Sequence, residues 1–247
     1  MYEKRDYRKL YNSNLSFRTV TYEDTDLSIG LPQDKWYESL SREIEALIKY
    51  YRNDLNEYIK RDPEFLVTHK PHQFLPDAPQ IAQGMTGAAN LAGVGPMAAV
   101  AGAFASAIGR FLLPISNEVI VENGGDIFLA GNTDKTIGLF FGNHSPFNNK
   151  VALNIKKGLL PLGVCTSSGT VGPSFSYGKA DGVVILSPSV ELADSVATAS
   201  ANLVQSAEDL AKAVDFAKNI ERVIGVLAVK DDKLAAWGKI ELVALNE

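Results

Sequence analysis

The chain has 1 cysteine, Cys165, in 247 residues. A lone thiol closes no internal disulfide, so a disulfide scaffold is excluded and a reducing compartment is expected. Histidine is almost as scarce, with 3 in all: His69, His72 and His144. His69 and His72 flank Lys70-Pro71, and the proline breaks the helical spacing of a ligand pair. With one cysteine, this argues against zinc. Positive charge is also in deficit, at 24 Lys plus Arg against 29 Asp plus Glu, a net charge of −5. Such a surface does not favour phosphate-backbone binding, and no nucleic-acid partner is expected. The first ten residues are charged and lack the apolar core of a secretion signal. Residues 78–109 carry no charge, but Gln80, Gln83, Asn90 and Pro96 interrupt them and much of the rest is Ala and Gly. Bilayer insertion favours large apolar residues, so a buried helix pair with close backbone contacts is expected, in a cytoplasmic protein without a membrane partner.

What remains is ordinary globular material. Hydrophobic residues make up 46% and charged residues 21%, with 20 Gly and 11 Pro, a balance that excludes wholesale disorder and a collagen-like repeat. Residues 16–22 alternate, 23–26 supply turn chemistry and 27–30 begin a return strand. Leu40, Ile44, Leu47, Ile48, Tyr51, Leu55, Tyr58 and Ile59 recur at helical spacing, predicting an amphipathic helix over about 34–61. This hairpin and helix, residues 15–61, read as a structural layer. Four prolines in 63–79 predict an extended connection. Small-residue helices are expected at 80–92 and 96–112, then strands at 118–121, 127–129, 137–141, 151–155, leading into Cys165, and at 182–186. Helices at 191–204 and 207–219 follow, the second opened by a Ser206–Asp209 capping box. A hairpin of 223–229 and 235–240 ends the pattern. Hairpin-spaced strands mixed with helices predict an α+β fold in one domain spanning 1–247.

Four segments could carry chemistry. Gly93-Val-Gly95-Pro96-Met97-Ala98 fits G-x-G-x-x-A, and a helix start can bind phosphate. No strand precedes it, so tight helix packing is the commoner explanation. Glu122-Asn-Gly124-Gly125-Asp126 is ordinary hairpin-turn chemistry; a functional version would admit a flat or phosphorylated ligand, with Asp126 accepting a hydrogen bond. Thr166, Ser167, Ser168, Gly169 and Thr170 follow Cys165 and offer donors to a phosphate or a flavin edge. Cys165 is a candidate nucleophile, although buried inert cysteine is the commoner state. Asp194 and Thr198 are four residues apart and share a helical face. Together they offer hard oxygen ligands to Mg²⁺, against the simpler role of an acid at the positive end of its helix.

In this order the segments resemble the ApbE-like flavin transferase superfamily over roughly residues 84–205. The resemblance is closest to a short, uncharacterised (UPF-type) branch, through Gly163-Val-Cys165-Thr-Ser-Ser-Gly169 and Gly178-Lys179-Ala-Asp181. It implies an ApbE-like α+β fold with a mixed, largely antiparallel sheet covered by helices. It also implies Mg²⁺-dependent transfer of FMN from FAD to a protein threonine. On that resemblance Asp194, Thr198 and the main-chain carbonyl of Met97 match the metal site. Gly93, Gly95, Gly124, Gly125, Asp126, Thr166, Ser167, Ser168 and Gly169 match cofactor-binding positions. The chain departs from the transferases in two places. Met97 to Gly102 is uncharged where they carry a lysine and an aspartate, and Pro173 to Asp181 replaces their His-Ile-Ile-Asp-Pro segment. Two other expectations stand beside FMN transfer: a non-catalytic flavin-binding module, and thiol or sulfur-transfer chemistry in sulfur assimilation using Cys165 and Lys179 as catalytic residues. The ligand expected is a flavin nucleotide, FAD or FMN, or another phosphorylated small molecule. Tyr2, Tyr7 and Tyr11 would serve a protein partner.

Overall fold

The computed structural model describes residues 14–142, 144–148, 150–169 and 177–245. Tyr2, Tyr7, Tyr11, Thr170 and residues 173–176 lie outside these described residues. The chain opens with an antiparallel hairpin of β1 (Ser16–Tyr22) and β2 (Thr25–Leu31). Four helices follow: α1 (Leu40–Arg61), α2 (Glu64–Val67), α3 (Gln80–Ala92) and α4 (Val100–Leu112), the last entered through a 3-10 turn at Pro96–Ala99. Strands β3 (Val119–Asn123), β4 (Asp126–Ala130), β5 (Lys135–Gly138), β6 (Val151–Ile155), β7 (Leu162–Ser167) and β8 (Gly182–Ser187) come next. Helices α5 (Val190–Asn202) and α6 (Leu210–Lys218) lead to β9 (Gly225–Lys230), β10 (Lys233–Gly238) and β11 (Leu242–Ala244). The main sheet has 8 strands in the order β1-β2-β3-β4-β7-β8-β9-β10, every adjacent pair antiparallel. A 3-stranded sheet, β11-β6-β5, stands apart. The architecture is α+β, as the sequence pattern predicts.

Strand alternation divides the core in two. Val183 and Ile185 of β8, Val226 and Ala228 of β9, and Phe128 and Ala130 of β4 join the helices in one apolar cluster. Their neighbours Val184, Leu186, Leu227, Val229 and Leu129 join β5 and β6 in the other. Position 126 has the parity of Phe128, so the first side chain of β4 stands on the helix side. α5 is buried almost all round, from Val190 to Ala201, and Ala and Ser suit a helix enclosed by other helices. Ser189 caps it, accepting a hydrogen bond from the Leu192 N–H at 3.2 Å. The uncharged stretch becomes α3 and the 96–112 segment, bent by 103°, and among the described residues no single helix is long and apolar enough to cross a membrane.

Three elements differ from the sequence pattern. α1 begins at Leu40 instead of near 34, because Trp36 folds back onto the first strand. Its indole N–H donates to the Ser16 carbonyl at 2.9 Å, and the Arg18 guanidinium stacks 4.5 Å from its ring. The proline-rich connection holds the short helix α2 before it extends. β11 has only three residues, too few for alternation to reveal.

The extended part of that connection, residues 68–79, forms a strap across the helices. The Asp62 Oδ2 accepts from the Tyr58 hydroxyl at 2.7 Å and lies 2.9 Å from His72 Nε2. Tyr58 Oη in turn accepts from the Leu75 N–H at 3.0 Å. Asn90 exchanges two hydrogen bonds with the His72 backbone, at 2.9 and 2.8 Å. Tyr58→Phe removes the side-chain acceptor of the Leu75 amide and takes one donor from Asp62 Oδ2, which keeps His72. A loss of about 1–2 kcal/mol is expected, read as a melting temperature about 2–8 °C lower and faster proteolysis within the strap.

Candidate functional site

The helix side of β4, the α3–α4 corner and the middle of α5 enclose a cleft of about 500 Å³. Three local features make it. Gly124 and Gly125 both take positive φ, 67° and 103°, as a two-residue hairpin turn requires. That turn delivers Asp126 to the head of β4, opposite Cys165 of β7, and Glu122 Oε1 closes it by accepting from the Gly125 N–H at 2.9 Å. Gly93 ends α3 in the left-handed conformation, and Pro96 occupies the first position of the next turn. The dinucleotide-like pattern is therefore a helix–helix corner without a preceding strand. Gly102 lets α4 and α5 cross closely, since a Cβ there would lie 2.8 Å from the Val190 carbonyl oxygen.

That crossing explains Asp194. Its Oδ2 accepts from the Gly102 N–H at 2.8 Å, in the first turn of α4. The acid thus serves the positive end of a helix other than its own. Asp126 and Asp194 both line the cleft and are 6% and 8% exposed. Burial raises the Asp194 carboxyl to about 7, with Glu191 adding to the rise and the Gly102 amide opposing it. Burial and then the Asp194 charge push Asp126 well above the usual carboxylate range, while Cys165 and the Thr166 amide pull the other way. Asp126 Oδ1 is buried with no hydrogen-bond partner.

Six of the expected site residues line this one cleft: Gly93, Gly95, Met97, Asp126, Asp194 and Thr198. Gly124 and Gly125 lie behind it as the turn that carries Asp126. Thr166, Ser167, Ser168 and Gly169 do not line it. Thr166 adjoins Gly125, whose Cβ direction ends 3.7 Å from the Thr166 carbonyl oxygen. Ser168 Oγ and the Gly169 N–H donate to the Ala180 carbonyl at 3.4 and 2.9 Å, so this loop ties chain to chain. Cys165 and Lys179, the residues expected to be catalytic, both lie outside the lining of this cleft. Cys165 is fully buried, its Sγ donating to the Val190 carbonyl at 3.4 Å. Burial and the charges of Asp126 and Asp194 push its thiol well up, which removes the thiolate a nucleophile needs. Lys179 is exposed and outside the cleft lining. Sequence reasoning missed Leu66, His69, Tyr177 and Phe216 in the lining. His69 and Tyr177 pack edge to face, 5.5 Å between ring centroids; their separation in sequence hides this.

The cleft suits a divalent cation by its chemistry. Among the described lining residues two are carboxylates and none is lysine or arginine, and an orphaned carboxylate oxygen is present. Among the described residues there is no cluster of three His, Cys, Asp or Glu side chains, so a cation here would take hydroxyl, carbonyl, water and ligand oxygens as well. Mg²⁺ is bound in that way, keeping waters and substrate phosphates.

An α+β domain with a buried acidic cleft behind an antiparallel sheet is the class defined by this geometry. The structure is similar to that of flavin transferase ApbE from Vibrio cholerae, with a TM-score of 0.54 at 12% identity over 91% of this chain and 97% of the other. It is also similar to Pseudomonas stutzeri flavinyl transferase ApbE, at a TM-score of 0.51 and 12% identity over 93% and 96%. The family model described as "AbpE bacteria" matches residues 8–234, and the chain belongs to that family. Relatives include a UPF0280 protein of Methanocella arvoryzae, 37% identical over 90% of this chain and 89% of its own length. Another is from Methanocaldococcus jannaschii, 39% identical over 93% and 94%.

A carboxyl whose pKa is raised by folding binds its proton more tightly in the native state than in the unfolded chain. Its contribution to stability is present below the ordinary carboxylate pKa and lost as pH climbs to about 7, the value for Asp194. Metal-free protein should therefore melt at a lower temperature at pH 8 than at pH 5. Asp194→Asn keeps the Gly102 hydrogen bond without a titrating charge, and should flatten that slope and raise the melting temperature at pH 8. Thermal melts of both proteins across this range check it. A second measurement concerns Cys165: iodoacetamide should leave the native thiol unmodified and alkylate it only in denaturant, as mass spectrometry would show.

Proposed function

We propose that this protein binds a flavin nucleotide in the cleft between β4, α4 and α5, with Mg²⁺ seated at Asp194, Thr198 and the Met97 carbonyl, as the reaction class of FMN transfer from FAD requires. The observation that carries this reading is the pair of buried carboxylates, one with an unpartnered oxygen, in a cleft whose described lining has no basic side chain. A phosphate would be repelled there without a cation, and the two carboxylates carry the charge that would hold one. The family and the ApbE-like fold support the flavin.

Mg²⁺, when bound, neutralises pyrophosphate oxygens and stabilises charge developing at phosphorus. The protein's own groups orient and exclude. The Gly102 N–H fixes one oxygen of Asp194, leaving its other oxygen for the cation. Thr198, one turn further along α5, faces the same cleft. The Met97 carbonyl accepts from the Val100 N–H and keeps a second lone pair. Asn123 holds the first turn of α4 by donating to the Ala101 carbonyl at 3.1 Å. The apolar part of the lining excludes water from the bound ring. A non-catalytic flavin-binding role is the second reading, favoured by the uncharged run from Met97 to Gly102, which gives this side of the cleft no acid or base. Asp126 fits beside the cation as a further carboxylate.

Titrating the protein with FAD and FMN, with and without Mg²⁺, tests the proposal. Mg²⁺ should tighten FAD binding at least tenfold in the wild type and leave binding to Asp194→Ala unchanged. Equal Mg²⁺ enhancement in both removes Asp194 from the metal site, and no flavin binding at all removes the function. AMP release from FAD, followed by chromatography, separates transfer chemistry from binding alone.

A further inference from the structure

The cleft has two chemically different ends. Asp126 and Asp194, both buried, make its inner part acidic, whereas the exposed Leu66, His69 and Tyr177, with the half-buried Leu203 and Phe216, make its solvent-facing part, the mouth, apolar and aromatic. His69 and Tyr177 both lie on irregular chain and are both exposed, Tyr177 by 56%. Exposed aromatic rings on irregular chain are ordinarily carried by backbone that is free to move. Here the backbone is fixed at both places.

Tyr177 is held through its own peptide groups. Its N–H donates to Asn202 Oδ1 and its carbonyl accepts from Gln205 Nε2, each at 2.9 Å. Next along, the Lys179 N–H donates to the Val204 carbonyl at 2.7 Å. Between them Gly178 lies flat on the end of α5, where a Cβ would come within 1.8 Å of the Ala201 carbonyl oxygen. His69 is held by the strap. The Thr68–His69 backbone packs on Gly95, at which a Cβ would fall 1.8 Å from the Thr68 carbonyl oxygen, and three residues on His72 is latched to Asp62 and Asn90. The two histidines therefore divide the work: His72 fastens the strap, and His69 is presented at the mouth. The rings meet edge to face with an interplanar angle of 76°, a corner against which a flat ring can stack on one member and meet the edge of the other.

Resting on the flavin-nucleotide reading above, we infer that His69 and Tyr177 form the ring subsite of the cleft: they bind the planar heteroaromatic ring of the nucleotide while the acidic end takes its phosphates. Anchored rings lose little freedom on binding, so the contact contributes directly to affinity. The pair sets specificity for phosphate esters that carry a planar ring over those that do not.

The test uses full-length protein with Mg²⁺ and two probes, FAD followed by quenching of its fluorescence and inorganic pyrophosphate followed by calorimetry. His69→Ala and Tyr177→Ala should each weaken FAD about tenfold and relieve its quenching, the scale of losing a base–aromatic stack. Tyr177→Phe should bind FAD as the wild type does, and pyrophosphate affinity should change less than twofold in all three. Wild-type FAD affinity in both alanine variants overturns the inference, as does an equal loss of FAD and pyrophosphate affinity, which signals a disturbed cleft. Wild-type protein that binds pyrophosphate but no flavin overturns the flavin reading itself, a result separable from the first two because it needs no variant. Thermal melts confirm that these exposed substitutions leave the fold intact.

Discussion

The site depends on bringing two like-charged carboxylates, Asp126 and Asp194, into one buried cleft. Burial without full pairing disfavours their ionised forms, and the charge of each disfavours the other. The fold supplies partial support: the Gly102 amide to Asp194, and Cys165 and the Thr166 amide to Asp126. It leaves one Asp126 oxygen without a partner. No element gains stability from that arrangement in the metal-free state. The helix crossing at Gly102 and the tight turn at Gly124–Gly125 instead hold the acids in place against their repulsion.

Charge balance then links the ion to the ligand. The run from Met97 to Gly102 is uncharged, so this cleft draws no compensation from a side-chain cation there. With none among its described lining residues, the charge of the cleft is set by Asp194 and Asp126, which favours a cation over an anion. In the flavin-nucleotide reading proposed above, ligand and metal affinities would be coupled through this charge. The aromatic mouth lies outside this coupling, because ring stacking is insensitive to the protonation of the inner acids.

Long periodic elements were legible in the sequence. α1, the small-residue helices, β8 and the terminal hairpin carry their burial in apolar spacing, and the capping box at Ser206–Asp209 is present as read. What failed was local chemistry overridden by distant contacts. The start of α1 moved because Trp36 finds a carbonyl on β1. Half of the site was legible for a related reason. Gly93, Gly95, Met97, Asp126, Asp194 and Thr198 stand on elements that converge, and resemblance marked their order. His69 and Tyr177 were not marked, being 108 positions apart and joined only by a strap and a pinned loop. A lone loop histidine reads as solvent-facing until the chain behind it is seen to be fastened.

The same acids decide what the cysteine can do. Ionising Cys165 would place a third negative charge beside Asp126 and Asp194, in a site that already resists the second. Its proton is held instead, and the thiol donates to the start of α5 at the Val190 carbonyl. The hydroxyl run behind it acts in the same way, with Ser168 and Gly169 fastening the end of β7 to Ala180. The Gly163-Val-Cys-Thr-Ser-Ser-Gly169 segment thus packs beside β4 and beneath α5, outside the lining of the cleft. Its motif-like composition follows from two packing demands, a small buried donor beneath α5 and close backbone approach at Gly169, whose Cβ would meet the Gly178 carbonyl oxygen at 2.0 Å. With two buried carboxylates disfavouring its ionisation, Cys165 serves as a hydrogen-bonded packing residue beneath α5.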